Sequence, residues 1–448
     1  MQTIHMLGIG GAGMAALTTV MQSMGCKVSG SDIEKNDTLS RLEQAGIPIT
    51  LGNETNLLSK ADYCVYSAAL DESHPLLHYA KQHMPTFSRG EMLGILSGGF
   101  ATVAAVSGTH GKTTVCGMLT TILLQDEQNP SVLMGGHLPL IKGNGRLGNR
   151  TLLVCEACEY RQSFLHLKRD LGILLNVDND HLECYGSMNR LKQGFREFIS
   201  PCKTAVVCAE DENAMYVTAK HPNRFCYGLT NRSDCYATNI QQQNGRFCFL
   251  LHLPTHHPIP IQLKVGGKHN LLNALAAATA AWQLGATPLS IQKGLNQFTG
   301  VERRFEILSQ TVQGTVADDY AHHPQEIRAV LTAAKEMGYQ HITAVFQPFT
   351  YSRTKLLAKE FADALSLADR VILAPVMGGR EPEDPTVDAQ TIGQYLPNAE
   401  LADNLTHCAE LAEQSVGSTH LILTLGCGTI YRCSQMITKH RETLKNQV

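Results

Sequence analysis

The sequence predicts an α/β protein built as three successive domains. Three observations carry that expectation. The chain has 448 residues, which corresponds to roughly three domains at about 150 residues each. Short apolar runs alternate with longer amphipathic ones along nearly the whole chain, the pattern of parallel sheets with helices on their faces. Two glycine-rich strand-to-helix junctions, at residues 8–13 and 108–111, each open what reads as a separate α/β unit. Between them, Ser97-Gly98-Gly99 reads as a hinge. A second boundary falls near Gly300, where the helical pattern LLNALAAATAAWQLG ends and a strand, GTVADDY, begins another alternating series. The expected domains are therefore 1–97, 98–300 and 301–448. Residues 203–265 hold short strand-like segments and read as a small β-rich excursion from the middle domain.

Bulk composition narrows the function. Hydrophobic residues make up 43% of the chain, enough for several cores. With 37 basic and 40 acidic residues the formal net charge is -3, so nothing draws the protein to nucleic acid or to a membrane surface. The N-terminus MQTIHMLGIGGAGM lacks the basic start and apolar core of an export signal, and no apolar run has the roughly 18 residues that span a bilayer. The 14 cysteines are scattered, which suits buried free thiols in a cytoplasmic protein. Cys155 and Cys158 have metal-like spacing, but no second pair completes a four-ligand site, and core thiols are the plainer reading.

The first junction runs from the buried strand TIHML through Gly8-Ile9-Gly10-Gly11-Ala12-Gly13 into the helical pattern MAALTTVMQSMG. Glycines in this context permit a tight turn and let the backbone approach a diphosphate whose charge rests on a helix N-terminus. A second strand, KVSGSD, ends in Asp32, roughly 20 residues on, where an acid can bond a ribose hydroxyl. This is a Rossmann-like domain for a nucleotide diphosphate, either a nicotinamide dinucleotide or a UDP-sugar. Ser67, after the strand DYCVY, lies at the end of a third strand and either lines the same crevice or is a simple loop serine.

The second junction follows the β-type run ATVAAVS. Gly108-Thr109-His110-Gly111-Lys112-Thr113-Thr114 opens the helix VCGMLTTILLQ. It reads as a shortened P-loop that binds ATP. Backbone amides surround the phosphates, Lys112 supplies a point charge, and the Thr113 hydroxyl can reach Mg²⁺. Two nucleotide loops in one chain argue against a plain dehydrogenase and for one ligand being activated by the other.

At this point the chain resembles the Mur ligase family over essentially its whole length. GIGGAGM, GTHGKTT, EACEYRQSFL, NVDNDH, KHNLLNALAA, VERRFE, DDYAHHPQEI and FQPFTYSRT match family segments in order, and most resemble the members that add L-alanine to UDP-N-acetylmuramate. The resemblance implies a Rossmann-like C-terminal domain behind a P-loop-type central sheet. It implies that Gly8, Gly10, Gly11, Ala12, Gly13, Asp32 and Ser67 serve the UDP-sugar. It places Mg²⁺ on Thr113, Glu156 and His181, adenine on Asn270 and Asn273, the γ-phosphate on Arg304, and the ATP ribose on Asp319. It implies catalytic roles for Lys112, His181 and Arg304. Arg353 would hold the amino-acid carboxylate, with Tyr320 and His323 beside it. Phe349 and Thr350 depart from residues frequent in that segment, which touches the amino-acid pocket and not the ligase chemistry.

The residues themselves allow plainer roles. Glu156 can cap a loop, Asn270 can cap a helix, His181 can be structural, and Arg353 can pair with a surface acid. The function implied is ATP-dependent joining of L-alanine to the lactyl carboxylate of UDP-N-acetylmuramic acid through an acyl phosphate. Two other readings stand beside it: a recycling ligase that adds a tripeptide to the same sugar, and a nicotinamide-dependent oxidoreductase.

Overall fold

The computed structural model describes residues 2–52, 58–71, 73–178, 182–379 and 381–445. Three sheets follow one another along the chain. The first contains β1 (Thr3–Leu7), β2 (Lys27–Asp32), β3 (Ile49–Leu51), β4 (Tyr63–Tyr66) and β5 (Thr86–Ser88). Its order is β3-β2-β1-β4-β5 and every pairing is parallel. The order reverses at β1, so the first glycine loop leaves the sheet where such folds open a ligand crevice. β1 is apolar because helices cover both faces of its sheet. Its exception is His5, held between Ser29 Oγ (2.9 Å) and Ser31 Oγ (3.1 Å) on β2. Burial lowers its pKa to about 4, so it stays neutral inside the core.

The second sheet has ten strands: β6 (Thr102–Ser107), β7 (Ser131–Leu138), β8 (Gly143–Arg146), β9 (Leu152–Glu156), β10 (Leu171–Leu174), β11 (Thr204–Cys208), β12 (Arg224–Gly228), β13 (Cys235–Gln243), β14 (Arg246–His252) and β15 (Ile259–Gly266). Their order is β15-β14-β13-β12-β11-β10-β6-β9-β7-β8. The β-rich stretch 203–265 is therefore no excursion. β11 pairs in parallel with β10, and β12 to β15 extend the same sheet. The third sheet, β16 (Glu306–Thr311), β17 (Gly314–Asp319), β18 (His341–Phe346), β19 (Arg370–Leu373), β20 (Glu400–Leu401) and β21 (His420–Leu425), has the order β16-β17-β21-β18-β19-β20. Only β16 is antiparallel.

The chain divides into two compact units. The first comprises Met1–Ile240, Phe249–Gln262 and Leu271–Phe298; the second comprises Gln241–Cys248, Leu263–Asn270 and Thr299–Val448. The first two sheets meet inside the first unit. Residues of both, including Ile4, Leu17 and Met92 with Leu133, Leu153 and Phe164, share one hydrophobic core. β8 lies against the helix Ala12–Ser23, with Asn144 Nδ2 donating to the Ala12 carbonyl at 2.6 Å. A methyl group at Gly145 would run into the Ala16 carbonyl, so only glycine fits there. Ser97 is no hinge. It ends the helix Arg89–Ser97, its hydroxyl donates to the Gly94 carbonyl at 2.8 Å, and that oxygen accepts the Lys168 amide at 3.0 Å. Among the described residues, no helix is long and apolar enough to cross a membrane.

Candidate nucleotide and ligation site

Three of the four glycines in the first loop have local reasons. Gly8 sits at φ 72°, and a methyl group there would lie 3.0 Å from Ser67 Cβ. A methyl group on Gly10 would meet Asn36 Nδ2 at 2.7 Å, and one on Gly13 would meet Arg89 Nη1 at 3.0 Å. Gly11 has neither reason. Its φ of -70° and ψ of 137° suit any residue, and a methyl group would meet only the Gly8 carbonyl at 3.7 Å. Its missing side chain keeps space open over the N-terminus of the helix Ala12–Ser23, beside exposed Ala12. Ser67 follows β4, directly beside the loop. Asp32 anchors the loop: one carboxylate oxygen accepts the Gly10 amide and the other the Ile33 amide, both at 2.8 Å.

The second loop leaves β6 between β9 and β10, where three parallel strands end together. Gly108 at φ 137° and Gly111 at φ 88° make the turn into the helix Lys112–Gln125. Asn176 clamps it, accepting the His110 amide at 2.8 Å and donating to the His110 carbonyl at 3.1 Å. Thr109 Oγ1 accepts the Asp178 amide at 2.9 Å. The Lys112 ammonium turns back over the loop to the carbonyls of Gly108 (2.5 Å) and Thr109 (3.0 Å). It also reaches both oxygens of Glu159, at 3.1 and 3.0 Å. Burial alone pulls an ammonium down, but the Glu159 carboxylate outweighs it and holds Lys112 above the usual lysine range. Thr113 is buried and Thr114 half-buried at the helix start. Glu156 ends β9 opposite Val106, with one carboxylate oxygen accepting the Gly135 amide at 2.6 Å. Asn273, buried on the helix Lys268–Gln283, comes to the same loop: a methyl group at Gly111 would lie 2.6 Å from its Oδ1. His181 lies outside the described residues.

In the second unit, Asn270 donates its side-chain amide to the Gly266 carbonyl at 2.6 Å, tying the strand-to-helix turn. Asp319 ends β17 and is buried, accepting the amides of Phe305 and Ala321, each at 2.7 Å. Burial raises its pKa to about 6, against the pull of the nearby Arg304 guanidinium. Arg304 also lies over the Tyr320 ring at 5.1 Å. His323 is the N-cap residue of the helix Pro324–Glu336. His322 faces the Tyr320 carbonyl at 3.0 Å and Glu326 at 3.4 Å. Among the described residues, no cluster of histidine, cysteine or carboxylate groups could hold a metal unaided. Arg353 lies on the short helix Tyr351–Leu356 after β18, capped by Thr350. Burial pushes the Cys427 thiol up to about 12, with the Arg353 charge opposing that rise; the two residues follow the ends of β18 and β21, which are adjacent parallel strands.

Sequence reasoning missed two ion pairs. Glu159 stands three residues beyond Glu156, in a turn where Arg161 and Gln162 take left-handed backbone angles, and no motif marks it. Arg303, beside the expected Arg304, bonds Asp318 Oδ2 at 2.8 Å and the Gly426 carbonyl at 2.6 Å, between the rings of Tyr320 and Tyr431. The adjacent Arg-Arg and Asp-Asp pairs were the available cue: in each, one residue is a structural anchor. Cys155 and Cys158 are both free thiols, and Cys158 lies beyond the end of β9.

Comparison with known proteins identifies the family of all three regions. Residues 3–101 match the Mur ligase family catalytic domain, 106–281 the Mur ligase middle domain, and 303–428 the Mur ligase glutamate ligase domain. A UDP-N-acetylmuramate--L-alanine ligase of Acetivibrio thermocellus is 36% identical, covering 98% of this chain and 96% of that protein. One from Clostridium novyi is 37% identical over 97% and 96%. Among solved structures, a UDP-N-acetylmuramate-alanine ligase from Thermotoga maritima superposes with a TM-score of 0.85 at 28% identity, covering 99% of this chain and 100% of that one. A murein peptide ligase from Psychrobacter arcticus shares the fold, with a TM-score of 0.76 at 22% identity over 98% of each chain. From its first strand to its last sheet, the chain belongs to the Mur ligase family.

Proposed function

We propose that the protein joins L-alanine to UDP-N-acetylmuramic acid at the expense of ATP, in the cytoplasm, as a step of peptidoglycan precursor synthesis. One observation carries the reading: two glycine-rich loops, each leaving the C-terminal end of a strand flanked by parallel neighbours in its own sheet, lie within one compact unit. Full-length relatives that are L-alanine ligases support the choice of reaction. A lactyl carboxylate oxygen attacks the γ-phosphorus of ATP, the bond to the β–γ bridging oxygen breaks, and ADP leaves. The alanine amine then attacks the acyl carbon, phosphate departs, and the amine loses a proton.

Each side chain has a role in this reading. Gly108, Thr109, His110, Gly111, Thr113 and Thr114 wrap the ATP phosphates, and Lys112 and Arg304 offset charge on the transferring phosphoryl group. Asn270 and Asn273 serve the adenine, and Asp319 the ribose. Gly8, Gly10, Gly11, Ala12 and Gly13 carry the UDP diphosphate, with Asp32 and Ser67 at the rim. Arg353, Tyr320 and His323 form the alanine pocket. Thr113 and Glu156 fit Mg²⁺, since both offer the oxygen ligands it takes. The Glu156 charge also reaches the helix start, where burial first, and then this carboxylate, push the Cys116 thiol well up. With His181 they would hold the ion, which supplies positive charge beside the phosphates. The domain limits that go with this division of labour are 1–97, 98–300 and 301–448. The test is ADP release with ATP and UDP-N-acetylmuramate, across L-alanine, L-serine, glycine and the tripeptide. L-alanine gives the highest kcat/KM; turnover with tripeptide but not with alanine would overturn the assignment.

A further inference from the structure

Arg89 has no place in the motifs described so far. It follows β5 and is the first residue of the helix Arg89–Ser97. Its guanidinium lies over the opening turn of another helix, Ala12–Ser23, where a methyl group on Gly13 would sit 3.0 Å from Nη1 and 3.3 Å from Cζ. Gly13 is thus the residue that admits the arginine. The side chain is half-buried, and among the described residues no hydrogen bond or ion pair satisfies it. Its nearest acid in sequence, Glu91, is committed to the helix cap, accepting the Ser88 amide at 2.7 Å. The groups that do feel its charge are thiols. Burial pushes Cys155 up to about 12 and raises Cys158, and Arg89 opposes both shifts.

The electrostatics of this position are unfavourable without an anion. A cation in the first turn of its own helix opposes that helix's dipole, and here it also faces the positive end of a second helix. Burial removes part of the water that would otherwise screen it. The opening beside Gly11 is at the same helix end. We infer that Arg89 is the counter-charge for the diphosphate of the UDP-sugar, gripping it with a planar fork beside the loop amides. The inference rests on the UDP-sugar reading of the first loop, and it adds to that site a residue from the C-terminal end of edge strand β5.

Calorimetric titration of UDP, UDP-N-acetylglucosamine and UDP-N-acetylmuramate into the parent protein, Arg89→Met and Arg89→Lys tests it. Methionine keeps an apolar stem against Gly13 and removes the charge; lysine keeps the charge and loses the fork. All three nucleotides should bind Arg89→Met about tenfold more weakly or worse, in line with a lost charge-assisted hydrogen bond. Arg89→Lys should fall between it and the parent, and ATP affinity should not change in either variant. Should Arg89→Met fail to fold, the lysine variant alone must show the weakening. Unchanged nucleotide affinity in a folded variant makes Arg89 a packing residue and overturns the proposal. So does a loss confined to UDP-N-acetylmuramate, which would move Arg89 to the lactyl carboxylate. If the parent protein binds none of the three, the reading of the loop itself falls, which is a separate result.

Discussion

Lys112 donates to both carboxylate oxygens of Glu159, at 3.1 and 3.0 Å, across 47 residues of sequence. Glu159 is 1% exposed, so the pair is shielded from water. Removing one partner of such a pair leaves a desolvated charge and costs about 3 kcal/mol or more. Glu159 therefore keeps the loop lysine charged and aimed along the loop. Glu159→Gln should lower kcat at least about tenfold, and Lys112→Ala should lower it by a factor of order 10³. The two changes should not be additive, because the second removes what the first serves. Steady-state rates of both single variants and the double variant decide this; strictly multiplicative losses would separate the two residues.

Gly11→Val concerns the first loop. Neither backbone angle nor packing requires glycine there, so the variant should fold with an unchanged melting temperature. Its side chain fills the space over the helix N-terminus, and UDP-N-acetylmuramate binding should fall by about a hundredfold while ATP binding persists. Calorimetry with each ligand checks both halves; undiminished UDP-sugar affinity would move the diphosphate elsewhere.

Asp319 makes stability depend on pH in an unusual sense. Its carboxyl is raised to about 6 in the folded chain, chiefly by burial, from an ordinary value near 4. Between those values the folded state holds a proton that the unfolded state has released. The contribution is present below pH about 4 and is lost as pH rises through about 6, with a slope of order 1 kcal/mol per pH unit. Asp319→Asn should abolish that component. Urea unfolding of parent and variant from pH 4.5 to 7 measures it, and parallel stability curves would refute it.

Arg353→Lys should raise the KM for L-alanine about tenfold and leave the KM for ATP nearly unchanged, because lysine keeps the charge but cannot grip a carboxylate in two parallel bonds. Equal changes for both substrates would assign Arg353 to the phosphates. Measuring all three KM values separates the cases.

What the sequence made legible was local. Glycines at strand-to-helix turns announce themselves, and both loops stand at the strand ends expected of them. The stretch 203–265 misled because its strands look isolated in sequence, while β11 joins β10 and the sheet by non-local pairing. Glu159 was hidden by a turn whose left-handed residues, Arg161 and Gln162, carry no glycine signature. Arg303 takes φ 60° and anchors on Asp318, so only the fold distinguishes it from Arg304.

The contact of Gly145 with the Ala16 carbonyl bears on any attempt to recombine this enzyme with its relatives. The first sheet is not a cassette that can be cut out at Ser97 and grafted onto another middle domain. Its first helix is moulded to the β7–β8 hairpin of the next domain, down to one backbone atom. A working chimera must carry residues 131–146 along with 1–97, so the unit of inheritance is discontinuous in the gene although it is contiguous in space.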